Sequence, residues 1–296
     1  MNRFVRYAFC SIFIIAALLL TACGGEQKKA QRLKIVTSFY PIYISTLNVV
    51  DGVDNIEVIN LTNKRVGCLH DYQLTTENMK TLANANVLIV NGGGMEEFLD
   101  KVRSENPKLK IIDASKNANI EWLTDKEGIN SHVWMNIRYN IEEVHQIAEK
   151  LAAIDPEHAS NYNTNARLYE EKLLHLEGEM QTLVKDLQTR DIVTFHEAFP
   201  YFAKEFNLNI IASIEATPGN NPSPQEVAEI VEKMRPLKRK VIFTEPQYSP
   251  EAAEMLAYET GAQIYTLDPI VSGEPNKDAY IGAMRKNAQT LREALQ

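Results

Sequence analysis

The stretch Val193-Thr194-Phe195-His196-Glu197-Ala198-Phe199-Pro200-Tyr201-Phe202-Ala203-Lys204-Glu205-Phe206 changes its periodicity in the middle. It begins as a β-branched run, stops at His196, and continues with Phe199, Phe202 and Phe206 at the spacing of one helix face. The pattern predicts a strand that ends in a turn, a helix just beyond it, and His196 in the turn. Open α/β sheets bind ligands in that place, outside the carboxyl ends of their strands. A zinc-protease helix is excluded, although His196-Glu197 begins like one. H-E-x-x-H needs a second histidine at position 200, and the residue there is Pro200, which also interrupts a helix.

Toward the C-terminus the same alternation continues. Strands are predicted over 191–195, 209–214, 241–244 and 263–267, and helices over 198–206, 224–235, 250–260 and 278–295. Ser223-Pro224-Gln225-Glu226 reads as a capping box with proline at the first helical position, and Gly261 as a helix stop. Toward the N-terminus, strands at 33–38, 56–60, 87–91 and 109–113 alternate with helices at 41–50, 76–85 and 96–105. Between the two series lie an amphipathic helix, 137–154, and a longer one, 157–188, which Asp155-Pro156 would cap. A helix of roughly 30 residues is ~45 Å long, enough to join two lobes. The fold class expected is therefore α/β: two parallel-sheet βα lobes joined by a long backbone helix, with the site in the cleft between them. The divisions are an N-terminal lobe at 33–136, linking helices at 137–189 and a C-terminal lobe at 190–296.

Residues 1–22 read as a signal peptide, with Arg3 and Arg6 ahead of an apolar run that ends in Leu20-Thr21-Ala22-Cys23. That run is shorter than the roughly 20 residues a spanning helix needs. Its ending resembles a bacterial lipobox, which implies lipidation at Cys23, a flexible tether over 23–32 and a location outside the cytoplasm on the bacterial membrane. Of the three cysteines, Cys10 would leave with the signal and Cys23 would be modified, so Cys68 alone cannot form an internal disulfide. A formal net charge of −8 argues against nucleic acid and favours cations.

Four side chains occupy equivalent places in this scheme. His70 and His132 follow N-terminal strands, and His196 and Asp268 follow C-terminal ones. Three imidazoles and one carboxylate facing one crevice form an N₃O set of the kind that holds Zn²⁺. His145, His158 and His175 fall inside predicted helices and read as ordinary surface residues. Gly92-Gly93-Gly94 lacks both the dinucleotide spacing and a Walker lysine, so it is a turn and not a phosphate loop. Glu197 adjoins His196 and Glu245 stands at a strand end, where each could orient an imidazole or serve as a solvated or capping residue.

The run 195–203, His132-Val133-Trp134, the loop 67–72 and Phe243-Thr244-Glu245-Pro246-Gln247-Tyr248-Ser249 resemble the metal-binding solute-binding proteins of zinc and manganese ABC transporters. The resemblance extends from about residue 33 to the C-terminus. It implies one transition-metal ion between two lobes, delivery to a membrane permease, no enzymatic activity, and a monomer. The metal positions it carries over are His70, His132, His196 and Asp268. Cys68-Leu69 replaces the family's acidic residue and proline, and Asn136 replaces an acidic residue. Cys68 is expected to be a small buried residue and not a thiolate ligand. The histidine-rich loop of many zinc members is missing. Zn²⁺ is the expected ion because the set is nitrogen-rich, with Mn²⁺ as the alternative. Two readings of other classes stand beside this one. A metal-dependent hydrolase would keep three protein ligands and a water; an adhesin would fit the lipid anchor but gives no reason for the ligand set.

Overall fold

The apolar runs of the central strands decide the architecture. Val-Leu-Ile-Val of β3 (Val87–Val90) and Val-Ile-Phe-Thr of β7 (Val241–Thr244) are buried at every position, as strands must be when helices cover both faces of a parallel sheet. In this computed structural model, which describes residues 32–62, 69, 72–124, 128–215 and 222–296, residues Leu33–Gln296 form one compact unit. β1 (Leu33–Thr37), β2 (Ile56–Asn60), β3 and β4 (Lys110–Asp113) make a parallel sheet in the order β2-β1-β3-β4. β5 (Asp191–Thr194), β6 (Asn209–Ser213), β7 and β8 (Gln263–Thr266) make a second in the order β6-β5-β7-β8. The two orders are the same, so the architecture repeats although the sequence shows no repeat. In each sheet the order reverses between the two central strands, and that reversal opens a crevice at their carboxyl ends.

The first sheet carries α1 (Tyr40–Val49), α2 (Thr76–Ala83) and α3 (Leu99–Glu105). α4 (Ile137–Ile154) and α5 (Ala159–Leu183) link the lobes, and α6 (Pro200–Glu205), α7 (Pro224–Met234), α8 (Glu251–Thr260) and α9 (Ala279–Leu295) complete the second. The Ser223–Glu226 capping box forms, and Gly261 ends α8 in the left-handed conformation at φ +71°. Asn136 caps α4 by accepting the Tyr139 N–H at 3.0 Å, so an amide oxygen serves where relatives were expected to carry an acid.

The long helix is shorter than predicted. Pro156–His158 is a 3₁₀ turn, α5 begins at Ala159, and it ends at Leu183, giving 25 residues or ~38 Å. Asp155 does not cap it. Its carboxylate takes the Tyr162 hydroxyl at 2.7 Å and meets His158 Nδ1 at 2.8 Å, and these short-range side-chain bonds replace the cap.

One apolar core runs from β1 through α4 and α5 to α9, with a smaller one on the outer side of the second sheet. Trp134, fully buried, sits where the lobes meet. Its Nε1–H donates to Pro269 O at 2.8 Å, its carbonyl accepts the Tyr280 hydroxyl at 2.7 Å, and Phe39 meets it edge-on at 5.0 Å.

The core also holds acids. Glu143 on α4 is fully buried with neither carboxylate oxygen hydrogen-bonded, and burial, with Glu96 and Asp113 nearby, pushes its pKa well above the usual carboxylate range. Burial likewise raises Glu96 to about 7 against the bonds it accepts from Ser38, Asn91 and Gly92. A raised acid holds a proton in the native state that the unfolded chain releases. The stability it supports is full below about pH 4.5 and is lost as pH rises through the folded value, near 7 for Glu96. Glu143→Gln imitates the protonated acid, so it should leave stability unchanged at pH 4 to 5 and raise it at pH 8. Urea midpoints at the two pH values check this; an equal shift at both would refute it.

Candidate metal centre

His196 lies two residues beyond the end of β5, and Glu245 directly follows β7, so both stand at the reversal of the second sheet. Both are buried. The imidazole Nδ1 meets Glu245 Oε1 at 2.6 Å, and the same oxygen accepts the His196 backbone N–H at 3.3 Å. A carboxylate at Nδ1 fixes the tautomer with the proton there and makes Nε2 the nitrogen through which the ring would bind a metal. Of the two acids singled out in the sequence, Glu245 takes the orienting role. Glu197 supplies its backbone carbonyl, which accepts Asn130 Nδ2–H at 2.8 Å.

His132 reaches the same place from the first lobe. It is buried, its ring packs 5.2 Å from that of Trp134, and its centroid is 5.3 Å from that of His196 at 73°. Its Nδ1 meets Asn130 Oδ1 at 3.1 Å, and that oxygen also accepts the His132 backbone N–H at 3.1 Å. Asn130 therefore repeats for His132 what Glu245 does for His196, with a neutral acceptor. Its amide is held from the other lobe by Glu197 O, and its carbonyl accepts the Tyr201 hydroxyl at 2.8 Å. The sequence reading missed Asn130. The available signal was an amide two residues before a candidate ligand, a spacing at which a side chain can fold back on the backbone.

Asp268 follows β8 and is half-buried. Its backbone is clamped from α9, with its N–H donating to Asn287 Oδ1 at 2.9 Å and its carbonyl accepting Asn287 Nδ2–H at 2.8 Å. Its Oδ1 accepts Ile270 N–H at 2.8 Å and Gln247 Nε2–H at 3.3 Å.

The structure thus brings His132 and His196 together across the lobes. Among the described residues no three His, Cys, Asp or Glu side chains are gathered as a ligand set, so Asp268 does not join the pair here. His70, Cys68 and Cys23 lie outside the described residues. Leu69, next to His70, is buried and accepts the Tyr72 N–H at 2.9 Å. His145, His158 and His175 pair with Glu170, Asp155 and Glu179 on the linking helices, away from the cleft. A cavity of about 580 Å³ against the edge strand β6, lined by Pro200, Leu208, Ile210 and Ile230 among others, contains none of the predicted ligands. Its size carries no argument for function; the paired imidazoles do. Two buried imidazoles, each engaged through Nδ1, fit a borderline transition-metal ion and give an alkali or alkaline-earth ion few of the oxygens it needs.

A family described as "Zinc-uptake complex component A periplasmic" matches residues 35–294. The high-affinity zinc uptake system protein ZnuA of Bacillus subtilis is 26% identical over 311 residues, covering 96% of this chain and 97% of that protein. The zinc-binding lipoprotein AdcA of Streptococcus pneumoniae is 26% identical over 298 residues, and the chain spans 59% of its length. Among solved structures, FpvC of Pseudomonas aeruginosa in complex with Mn²⁺ superimposes with a TM-score of 0.80 at 28% identity, covering 90% of this chain and 99% of that one. A Zn(II)-bound AdcAII variant of Streptococcus pneumoniae gives 0.79 at 29% identity, with 90% and 99% covered.

Proposed function

This chain belongs to the family of periplasmic zinc-uptake components, the metal-binding solute-binding proteins of ABC transporters, and from that premise we propose that it captures Zn²⁺ outside the cytoplasm and delivers it to a membrane permease. The observation that carries the reading is the His132–His196 pair, one imidazole from each lobe with ring centroids 5.3 Å apart. We assign the ligands as His70, His132, His196 and Asp268. Three nitrogens and one oxygen match the tetrahedral preference of zinc, whereas Mn²⁺ favours more oxygen. The names of the Bacillus and Streptococcus relatives support zinc, and the Mn²⁺ complex of FpvC keeps manganese as the competing ion. Four protein ligands would leave no open position for an activated water, which favours carriage over hydrolysis.

The same reading places a signal peptide at 1–22, a lipid on Cys23, a tether over 23–32, lobes at 33–136 and 190–296 with linking helices at 137–189, and a monomer on the outer face of the bacterial membrane. AdcA, described as a lipoprotein, supports the anchor.

Metal analysis of protein purified without chelator, followed by Zn²⁺ against Mn²⁺ competition, tests the proposal. One zinc per chain, preferred over manganese, is expected. Turnover of an ester, peptide or phosphate panel by the zinc-loaded protein would replace carriage with catalysis.

A further inference from the structure

We infer that Gln247 is a positioning residue: by occupying Asp268 Oδ1 it leaves that carboxylate one oxygen to offer a metal, and so selects a four-coordinate ion. The inference rests on the proposed role of Asp268 as a ligand. It deepens that role by naming what limits the coordination number.

A carboxylate oxygen has two in-plane lone pairs. On Asp268 Oδ1 one is taken by the Ile270 N–H at 2.8 Å and the other is reached by the Gln247 Nε2–H at 3.3 Å. With both acceptor positions of Oδ1 engaged, Oδ2 is the oxygen left to meet an ion. The Asp268 main chain has little freedom to turn another face outward. Asn287 bonds both its N–H and its carbonyl, and the next carbonyl, Pro269 O, accepts Trp134 Nε1–H at 2.8 Å.

Ile270 contributes at a cost. It is held at φ +63°, a left-handed conformation seldom adopted by a β-branched residue, and in that conformation its N–H bonds to Oδ1. The backbone donor is therefore built into the turn. Gln247 is the donor that a substitution can remove. Its Nε2 lies between Asp268 Oδ1 and Ser272 Oγ, at 3.3 and 3.4 Å.

Without the Gln247 donor, Oδ1 regains a lone pair and Asp268 can offer two oxygens. That would move an N₃O set toward N₃O₂, closer to what Mn²⁺ favours and further from tetrahedral zinc.

The test uses the purified full chain with Co²⁺ as a spectroscopic stand-in and Zn²⁺ against Mn²⁺ in competition. Tetrahedral Co²⁺ absorbs visible light far more strongly than five- or six-coordinate Co²⁺. Gln247→Ala removes the amide, and Gln247→Met keeps its length without the donor, so loss of packing and loss of the bond are separated. Both variants should show a weaker visible band, and their preference for Zn²⁺ over Mn²⁺ should fall on the order of 10-fold, the scale expected for an outer-shell partner. Unchanged band intensity and unchanged preference in both, with circular dichroism intact, would overturn the inference. Asp268→Ala in the same titration locates any failure. If it weakens zinc binding while the Gln247 variants behave as the parent, the ligand assignment stands and this inference falls. If Asp268→Ala binds zinc as the parent does, the ligand assignment fails and takes the inference with it.

Discussion

His196→Ala is expected to lower zinc affinity by more than the ~10–100-fold that loss of an outer-shell partner costs, because on the proposed assignment it removes a ligand and not its support. The ring is buried, comes from the second lobe, and lies 5.3 Å from His132 of the first, so its loss also removes one side of the bridge between lobes. A turn residue at a cleft would be replaced without harm to the fold, which is how the sequence reads. Its burial predicts otherwise. Nδ1 is 2.6 Å from Glu245 Oε1 and both side chains are almost wholly inaccessible, and removing one member of such a pair leaves a buried carboxylate short of a partner. A loss of ~3 kcal/mol in stability at neutral pH is therefore expected beside the loss of metal. Isothermal titration with zinc and urea unfolding of the same preparation separate the two effects. A variant that unfolds like the parent and still binds zinc like the parent would remove His196 from the site.

Trp134→Ala is the substitution with the largest expected cost to the fold. The side chain is fully buried, bonds Pro269 O, and packs edge-on with Phe39 and against His132. Deleting a buried aromatic costs ~3–5 kcal/mol, a large part of the stability of an ordinary domain. Trp134→Phe keeps most of the packing and loses the indole N–H, leaving Pro269 O short of its donor at a cost of ~1–3 kcal/mol. Urea midpoints with unchanged slopes measure both. Pro269 adjoins Asp268, so the Phe variant should also weaken metal binding, whereas a purely structural tryptophan would affect stability alone. A loss below ~1 kcal/mol for the Ala variant would show that the lobes are not held together at this residue.

Most of the fold was legible because each signal is local. Period changes, the Ser223 capping box and Gly261 lie within a few residues of the boundaries they set, and strand ends in a βα alternation point to the crevice. The approach of His132 and His196 to one another follows from that position. What was not legible depends on which side chains compete for a group. Asp155 before Pro156 reads as a helix cap until Tyr162 and His158 take its carboxylate. The spacing of Asn130 from His132 hints at the bond between them, but nothing near Asn130 shows that its amide will donate to the carbonyl of Glu197, 67 residues away. Glu143 lies in an amphipathic helix where an acid suggests the wet face, yet α4 packs against α5, α1 and β4 and the residue is buried. The choice between Glu197 and Glu245 had the same limit, since only the pairing of β5 with β7 brings position 245 to the imidazole.

The central claim is that imidazoles from both lobes hold the ion, and protons test it because neutral imidazole alone binds metal. The unperturbed pKa of histidine is about 6.5, so protons compete with Zn²⁺ below neutrality, while an ordinary aspartate near 3.9 adds little in that range. Zinc affinity should be measured across about pH 5 to 8. The account predicts an affinity that falls with a limiting slope above one proton per metal as the medium becomes acidic. A flat profile, or a slope that never exceeds one, would mean that fewer than two histidines bind the ion and would contradict the site.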